Sequence, residues 1–329
     1  MRAVGLFAHG GPEALQVIEL PEVHAGPGQV RIRVHAATVN PTDVGVRNGV
    51  RAEQQKADPP PYVPGMEAAG IVDEVGSGVP DRLKLGDAVI AIVVPKGSHG
   101  AYREQIALDA RSVVRAPAGK THPEAATLPM NGLTARLSLD LLNLSRGQVI
   151  AVTGAAGAYG GYVIQLAKAE GLTVIADASE NDEKLVASLG ADIVVRRGDD
   201  VASRFRSHFP QGVDGLADGA VLNERVIPAV RDGAAPSPLS AASWASRSGI
   251  STSLQPWCVL TRRRSRSSTA SGARLRTAKS RFAWRRSIRR KGRPTPIVGW
   301  RRAAREDGWS SNSNPGGQAG EPERAPLIY

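Results

Sequence analysis

Residues 149–178 leave this chain few folds to choose from. Val149-Ile150-Ala151-Val152-Thr153 is a short apolar run rich in β-branched residues, suited to a strand buried on both faces. It runs directly into Gly154-Ala155-Ala156-Gly157-Ala158-Tyr159-Gly160-Gly161. A helix follows with Val163, Leu166 and Ala167 on one face, and Thr173 to Ala176 reads as the next strand. Strand, glycine-rich loop, helix and strand in that order make one unit of a doubly wound α/β sheet. Small residues let the backbone approach a pyrophosphate, and the helix start offers N–H groups and the positive end of its dipole. The glycines alone would be weak evidence; their place after a strand and before a helix makes them specific. Gly154, Ala156, Gly157, Ala158, Tyr159 and Gly160 are therefore candidate cofactor residues. At the end of the second strand stand Asp177-Ala178-Ser179. An acid there would hold the ribose 2′-hydroxyl of NAD, whereas Ser179 could donate to the 2′-phosphate of NADP. These residues leave both cofactors open, and a plainer reading makes Asp177 a helix N-terminal acid facing solvent.

A second unit follows. Glu183 to Gly190 reads as a helix, Ile193-Val194-Val195 as a strand, Val213 to Gly219 as a strand end, and Val221 to Val230 as a helix. A doubly wound sheet should then add strands, but at about Gly233 the pattern fails. Composition changes at the same point. The chain has 329 residues and a formal net charge of +11. Residues 1–233 carry a net of −4 and residues 234–329 a net of +15. All five Trp and the single Cys, Cys258, lie after the break, and all six His lie before it.

Upstream, the chain is rich in β signals. Gln29 to Ala36 alternates apolar Val30, Ile32, Val34 and Ala36 with polar Arg31, Arg33 and His35, the pattern of a half-buried strand. Gly70 to Gly76 and Asp87 to Val94 read as two more strands, the last buried on both faces. Gly26-Pro27-Gly28 and Leu85-Gly86-Asp87 are turns ahead of strands. A loop-rich β domain over roughly 1–120 is expected, then a nucleotide-binding domain over 121–233. One Cys excludes an intrachain disulfide and a Cys-cluster zinc site. No apolar run reaches the ~18 residues of a membrane span, and the N-terminus lacks a signal-peptide core, so a cytoplasmic protein is the default expectation.

Several short motifs together carry a family likeness: Val39-Asn40-Pro41-Thr42-Asp43, Pro64-Gly65-Met66-Glu67-Ala68-Ala69-Gly70, Leu85-Gly86-Asp87, Gly100-Ala101-Tyr102, Leu133-Thr134-Ala135, the Gly154 loop and Leu189-Gly190-Ala191-Asp192. Over residues 1 to about 233 the chain resembles the zinc-free medium-chain dehydrogenase/reductases, close to quinone oxidoreductases of the zeta-crystallin type. The resemblance implies a GroES-like catalytic domain followed by a Rossmann domain, here incomplete. It implies NADPH or NADH as hydride donor to a quinone, enone or related carbonyl compound. It also implies homodimers, which an incomplete Rossmann domain puts in doubt. An enoyl- or alcohol-type reductase on another substrate is the alternative within enzymes.

Zinc-dependent members carry Cys where this chain has Asn40 and Gly-His-Glu where it has Gly65-Met66-Glu67, and their four-Cys lobe is absent here. The remaining Asn40 and Glu67 cannot build a tetrahedral N/S site, so no zinc is expected. Without a metal, charge developing on the substrate oxygen needs a hydrogen-bond donor in a dry cleft. By motif position, Asn40 and Thr134 are the candidates near the nicotinamide, and Asp43 holds their loop. Tyr62, after Asp58-Pro59-Pro60-Pro61, reads as a loop anchor. The competing reading of Asn40 is a turn residue before Pro41.

Residues 234–329 contain Arg262-Arg263-Arg264, Arg285-Arg286 and Arg289-Arg290-Lys291 with Trp interleaved. Taken literally, that is a basic, aromatic nucleic-acid-binding segment; a solvated, disordered tail is the bland reading. A shifted reading frame explains more. Reading the codons of Trp300 to Ser313 from their third base permits a segment containing Arg-Gly-Arg-Leu-Val-Val, and the family typically closes on Arg-Gly-(Arg/Lys)-(Leu/Val)-Val. This argues against a nucleic-acid partner and predicts a chain of poor solubility and low activity.

Overall fold

The computed structural model describes residues 1–231 except 51 and 53–56, together with the backbone of Leu260–Arg262 and Leu327–Ile328. The expectations placed on the tail over 234–329 therefore lie outside the described residues, those two short strands apart.

β1 (Arg2–Gly5) and β2 (Gln16–Glu19) form an antiparallel ribbon. The alternation at Gln29 becomes β3 (Gln29–Ala37), with Val30, Ile32 and Val34 buried and Arg33 and His35 exposed. It pairs antiparallel with β4 (Glu67–Val75) and with β6 (Gln105–Asp109). β4 continues to β5 (Ala88–Ile92), and β5 to β7 (Val113–Arg115). The register of β3 against β4 slips twice, between Arg31 and Ile32 and between Val34 and Ala36. Such bulges bend and twist a sheet, and this one curls around a core that includes Val30, Ile32, Val72, Val89 and Ile106. Gly70 lies opposite Val34, beside the second slip. A Cβ there would stand 2.0 Å from the Arg33 carbonyl oxygen, which is backbone and cannot swing away. Gly70→Ala is expected to cost about 2–3 kcal/mol, measured as a lower urea midpoint; an unchanged midpoint would mean the strands can spread.

β4 starts three residues before the expected Gly70, because Glu67 sits inside the strand with its carboxylate satisfied. The expected strand 87–94 is shorter, as Asp87 turns back to accept from the Lys84 amide (2.8 Å).

The second sheet is parallel in β8 (Val149–Thr153), β9 (Thr173–Ala178), β10 (Ile193–Arg196) and β11 (Gly215–Asp218), in the order β10-β9-β8-β11. Ahead of it come α1 (Pro41–Arg47), α2 (His122–Ala126) and α3 (Pro129–Leu142). α3 and α4 (Ala158–Ala169) cover one face, where Ala135, Leu139, Val163 and Ala167 meet Ile150, Val152 and Val174. Val186 of α5 (Glu183–Ser188) joins that cluster. α6 (Val201–His208) covers the other face through Val201, Ala202 and Phe205. The strand beyond β11, β12 (Leu260–Arg262), enters antiparallel, so the doubly wound run stops at four parallel strands among the described residues. β13 (Leu327–Ile328) lies parallel to β3 at Ala36 and Ala37.

The helix expected over 221–230 is not formed. Two 3-10 turns, Asn223–Arg225 and Ile227–Ala229, replace it. Val221 and Asn223 have φ of 55° and 56°, the Asp218 carboxylate holds the Asn223 amide (2.8 Å), and Pro228 has no N–H to give. No helix among the described residues is long and apolar enough to cross a membrane.

Candidate active site

β8 lies between β9 and β11, and the loops leaving β8 and β11 meet at the carboxyl ends of the strands. In open α/β sheets that crevice is where ligands bind. Gly154 leaves β8 with φ of 61°, and a Cβ on it would lie 2.7 Å from the Gly219 carbonyl carbon and 2.9 Å from the Ala220 nitrogen. Gly160 is as tight, since its Cβ would meet the Gly154 oxygen at 2.5 Å. Gly157 caps α4 without a side chain over the helix start. The first bond of the helix runs from the Gly161 amide to the Gly157 carbonyl (2.9 Å), so the amides before it have no carbonyl within the helix to use. Ala156 and Ala158 flank this opening half-exposed. Tyr159 packs its ring near Gly219 and donates its hydroxyl to Ser138 Oγ on α3 (2.9 Å).

Asp177, expected at the ribose, is turned inward at the end of β9. It is fully buried, and its carboxylate accepts from the Ala155 amide (3.2 Å) and from Arg197 Nε (3.0 Å). It therefore braces the glycine loop from beneath, where the sequence allowed an acid facing solvent. Ser179 donates to Asp182 Oδ2 (2.6 Å). Arg197 keeps nearly half its side chain exposed at the same end of the sheet.

On the curled-sheet side the centre is Glu67, a residue missed as a hub in the sequence. It is completely buried. Thr38 Oγ1 and Asn40 Nδ2 (2.9 Å) donate to its Oε1, and the Met130 amide at the start of α3 donates to Oε2 (2.7 Å). Burial outweighs these donors and raises its pKa from 4.5 to about 6. The signal was present: a lone carboxylate inside the apolar run Met66-Glu67-Ala68-Ala69 must be satisfied by something.

Asn40 is 6% exposed. Its Nδ2 also donates to Thr38 Oγ1 (3.0 Å), and its Oδ1 accepts from Asn131 Nδ2 (3.2 Å). Asp43 pins the loop, accepting from the Asn40 amide (2.8 Å) and the Gly65 amide (3.0 Å). The Tyr102 hydroxyl lies 3.2 Å from Asp43 and from the Thr38 carbonyl, and burial followed by the Asp43 charge pushes its pKa up, keeping it a donor. Thr134 donates its hydroxyl to the Met130 carbonyl one turn back (2.7 Å). Tyr62 exchanges backbone bonds with Leu6 (2.8 and 2.9 Å) and stacks on His9, away from this network.

Bonds from the start of α3 to Glu67 and Asn40 join the curled antiparallel sheet to the domain that carries the glycine-lined crevice. Residues 26–118 match the alcohol dehydrogenase GroES-like domain. A solved NAD-dependent alcohol dehydrogenase superposes with a TM-score of 0.64 at 33% identity, covering 71% of this chain and 75% of that one. The chain belongs to the medium-chain dehydrogenase/reductase superfamily. Among medium-chain dehydrogenase/reductases, rat quinone oxidoreductase is 34% identical over 199 residues (58% of this chain, 57% of that protein). The Arabidopsis thaliana chloroplastic NADPH-dependent alkenal/one oxidoreductase is 34% identical over 244 residues (71% and 61%). The chain spans little more than half the length of the curated relatives it matches.

Proposed function

We propose that this chain reduces an enone, quinone or related carbonyl compound with hydride from NADPH, without zinc. One observation carries the reading: at the switch point Gly154 presses on the Gly219–Ala220 peptide and Gly219 on the Thr153 carbonyl and the Tyr159 ring, so neither has room for a Cβ, beside a helix start whose first amides have no carbonyl within the helix. That geometry fits a pyrophosphate. The cofactor's resident chemistry is hydride donation; the chain's own residues bind, orient and exclude water. Gly154, Ala156, Gly157, Ala158, Tyr159 and Gly160 would hold the phosphates. The names of the rat and Arabidopsis relatives support quinones and alkenals or enones as the substrate class.

NADPH is favoured over NADH by the state of Asp177. Its carboxylate is buried and paired with Arg197, so Asp177 itself presents no exposed acid to repel a 2′-phosphate. Arg197 still offers guanidinium N–H groups there. Arg197→Ala is expected to weaken NADPH binding roughly 10-fold or more and NADH little, by nicotinamide fluorescence titration. Equal losses for both would remove the preference.

Zinc does not fit the donors present. Both Glu67 oxygens and the Asn40 Oδ1 are engaged by protein donors. Among the described residues no group of three or more His, Cys, Asp or Glu could hold a metal. The test of the whole reading is NADPH binding by the full chain, followed by single-turnover oxidation of bound NADPH on adding an enone or a quinone. A chain that leaves NADPH fluorescence unchanged would sink it.

A further inference from the structure

The network raises a question of supply: which side chain can donate to a substrate oxygen? Asn40 has two amide hydrogens, and Thr38 Oγ1 and Glu67 Oε1 account for both. Thr134 has one hydroxyl hydrogen, and the Met130 carbonyl accepts it. Tyr102 is directed at Asp43 and the Thr38 carbonyl. Each expected donor is thus committed inside the protein, and moving any of them would strand a buried acceptor, at a cost of about 1–3 kcal/mol.

Asn131 is different. It lies in the first turn of α3, partly buried, and uses one amide hydrogen on Asn40 Oδ1. The second finds no acceptor among the described residues. Asn131, Thr134 and Ser138 are spaced i, i+3, i+7, so they share one face of α3. That face begins at the Asn40–Glu67 network and ends where Tyr159 of the glycine loop meets Ser138. Asn131 therefore stands between the curled sheet and the crevice, anchored by its partner and with one donor to offer.

We infer that Asn131 donates the hydrogen bond that the substrate carbonyl oxygen receives, with Asn40 acting through it as the positioning residue. The inference rests on the proposed reduction of a carbonyl substrate. In an enone, hydride forms a new C–H bond at the β carbon. The C=C pair shifts toward the carbonyl, and negative charge gathers on oxygen, where the Asn131 N–H meets it. The enolate then takes its proton at the α carbon from water. Asn40 cannot rotate without breaking three bonds, so its Oδ1 holds the Asn131 amide in one orientation.

The test uses the full chain with 4-phenyl-3-buten-2-one carrying a carbon-13 carbonyl. Bound to the protein with NADP⁺, its carbonyl stretch should move to lower wavenumber than in solution. It should move back in Asn131→Ala and in Asn131→Asp, which keeps the shape but offers an acceptor. The single-turnover rate with NADPH should fall roughly 100-fold in both, with NADPH affinity held within about twofold and the unfolding midpoint lowered in both, because Asn40 Oδ1 loses its donor. An unaltered stretch or rate in Asn131→Ala overturns the assignment, as does a selective loss of NADPH affinity, which would give the amide to the cofactor. A wild-type chain that binds NADPH but not the enone overturns it too. A wild-type chain that binds no NADPH instead removes the functional reading beneath it.

Discussion

Replacing Gly154 by alanine is expected to abolish measurable NADPH binding and to destabilise the fold as well. Two costs combine. The backbone sits at φ of 61°, where a side chain adds roughly 1–2 kcal/mol. The new Cβ would also press into the Gly219–Ala220 peptide at 2.7–2.9 Å. Those atoms are backbone at the end of β11, tied by Thr153, whose Oγ1 accepts from the Ala220 amide (3.2 Å). The two loops must therefore separate, and the crevice widens where a phosphate would need close amides. A loss of about 3 kcal/mol in binding is a factor of more than 100 in Kd. Fluorescence titration with NADPH measures it, and an affinity within threefold of wild type would refute the placement of the pyrophosphate.

The second large effect belongs to Glu67. With a folded pKa of about 6 against 4.5 unfolded, the native state holds the proton more tightly. Its contribution to stability is fully present below about pH 4.5 and is lost as the pH rises through about 6. The shift corresponds to about 2 kcal/mol. Glu67→Gln cannot titrate, so the stability difference between variant and wild type should change by that amount between pH 4.5 and 7.5, with wild type losing ground as pH rises. Urea unfolding at several pH values measures it, and parallel curves would rule it out. Glu67→Ala should be worse at every pH, by about 3 kcal/mol or more. It strands the Met130 amide, the Asn40 amide and the Thr38 hydroxyl, and it unties α3 from β4.

These two residues also mark what could be read in the sequence. The Gly154 loop was legible because its signal is local: an apolar strand, a run of small residues and a helical period lie within thirty positions. The alternation at Gln29 was legible for the same reason. The helix expected over 221–230 failed because Asp218 captures the Asn223 amide from outside the segment. Asp177 looked like a ribose acid from its position at the end of a strand. Its partners, Ala155 and Arg197, lie about twenty residues away on either side, and they turn it inward beneath the loop.

Sequence by itself determined the class of this protein: a loop-rich β domain followed by a doubly wound α/β unit with a phosphate-sized loop, a parallel pattern interrupted near residue 233, and motifs whose family resemblance places Asn40, Asp43 and Thr134 in one neighbourhood. Periodicity and turn chemistry act over a few residues, so they survive in a linear reading. Tertiary structure alone decided the direction of each donor. Asn40 faces Glu67 and Thr38, 27 and 2 residues away, and it receives Asn131 from 91 residues away. A hydrogen bond is set by distance and angle between groups that the chain brings together only after folding. For that reason the donor left for a substrate is Asn131, which no spacing rule singled out.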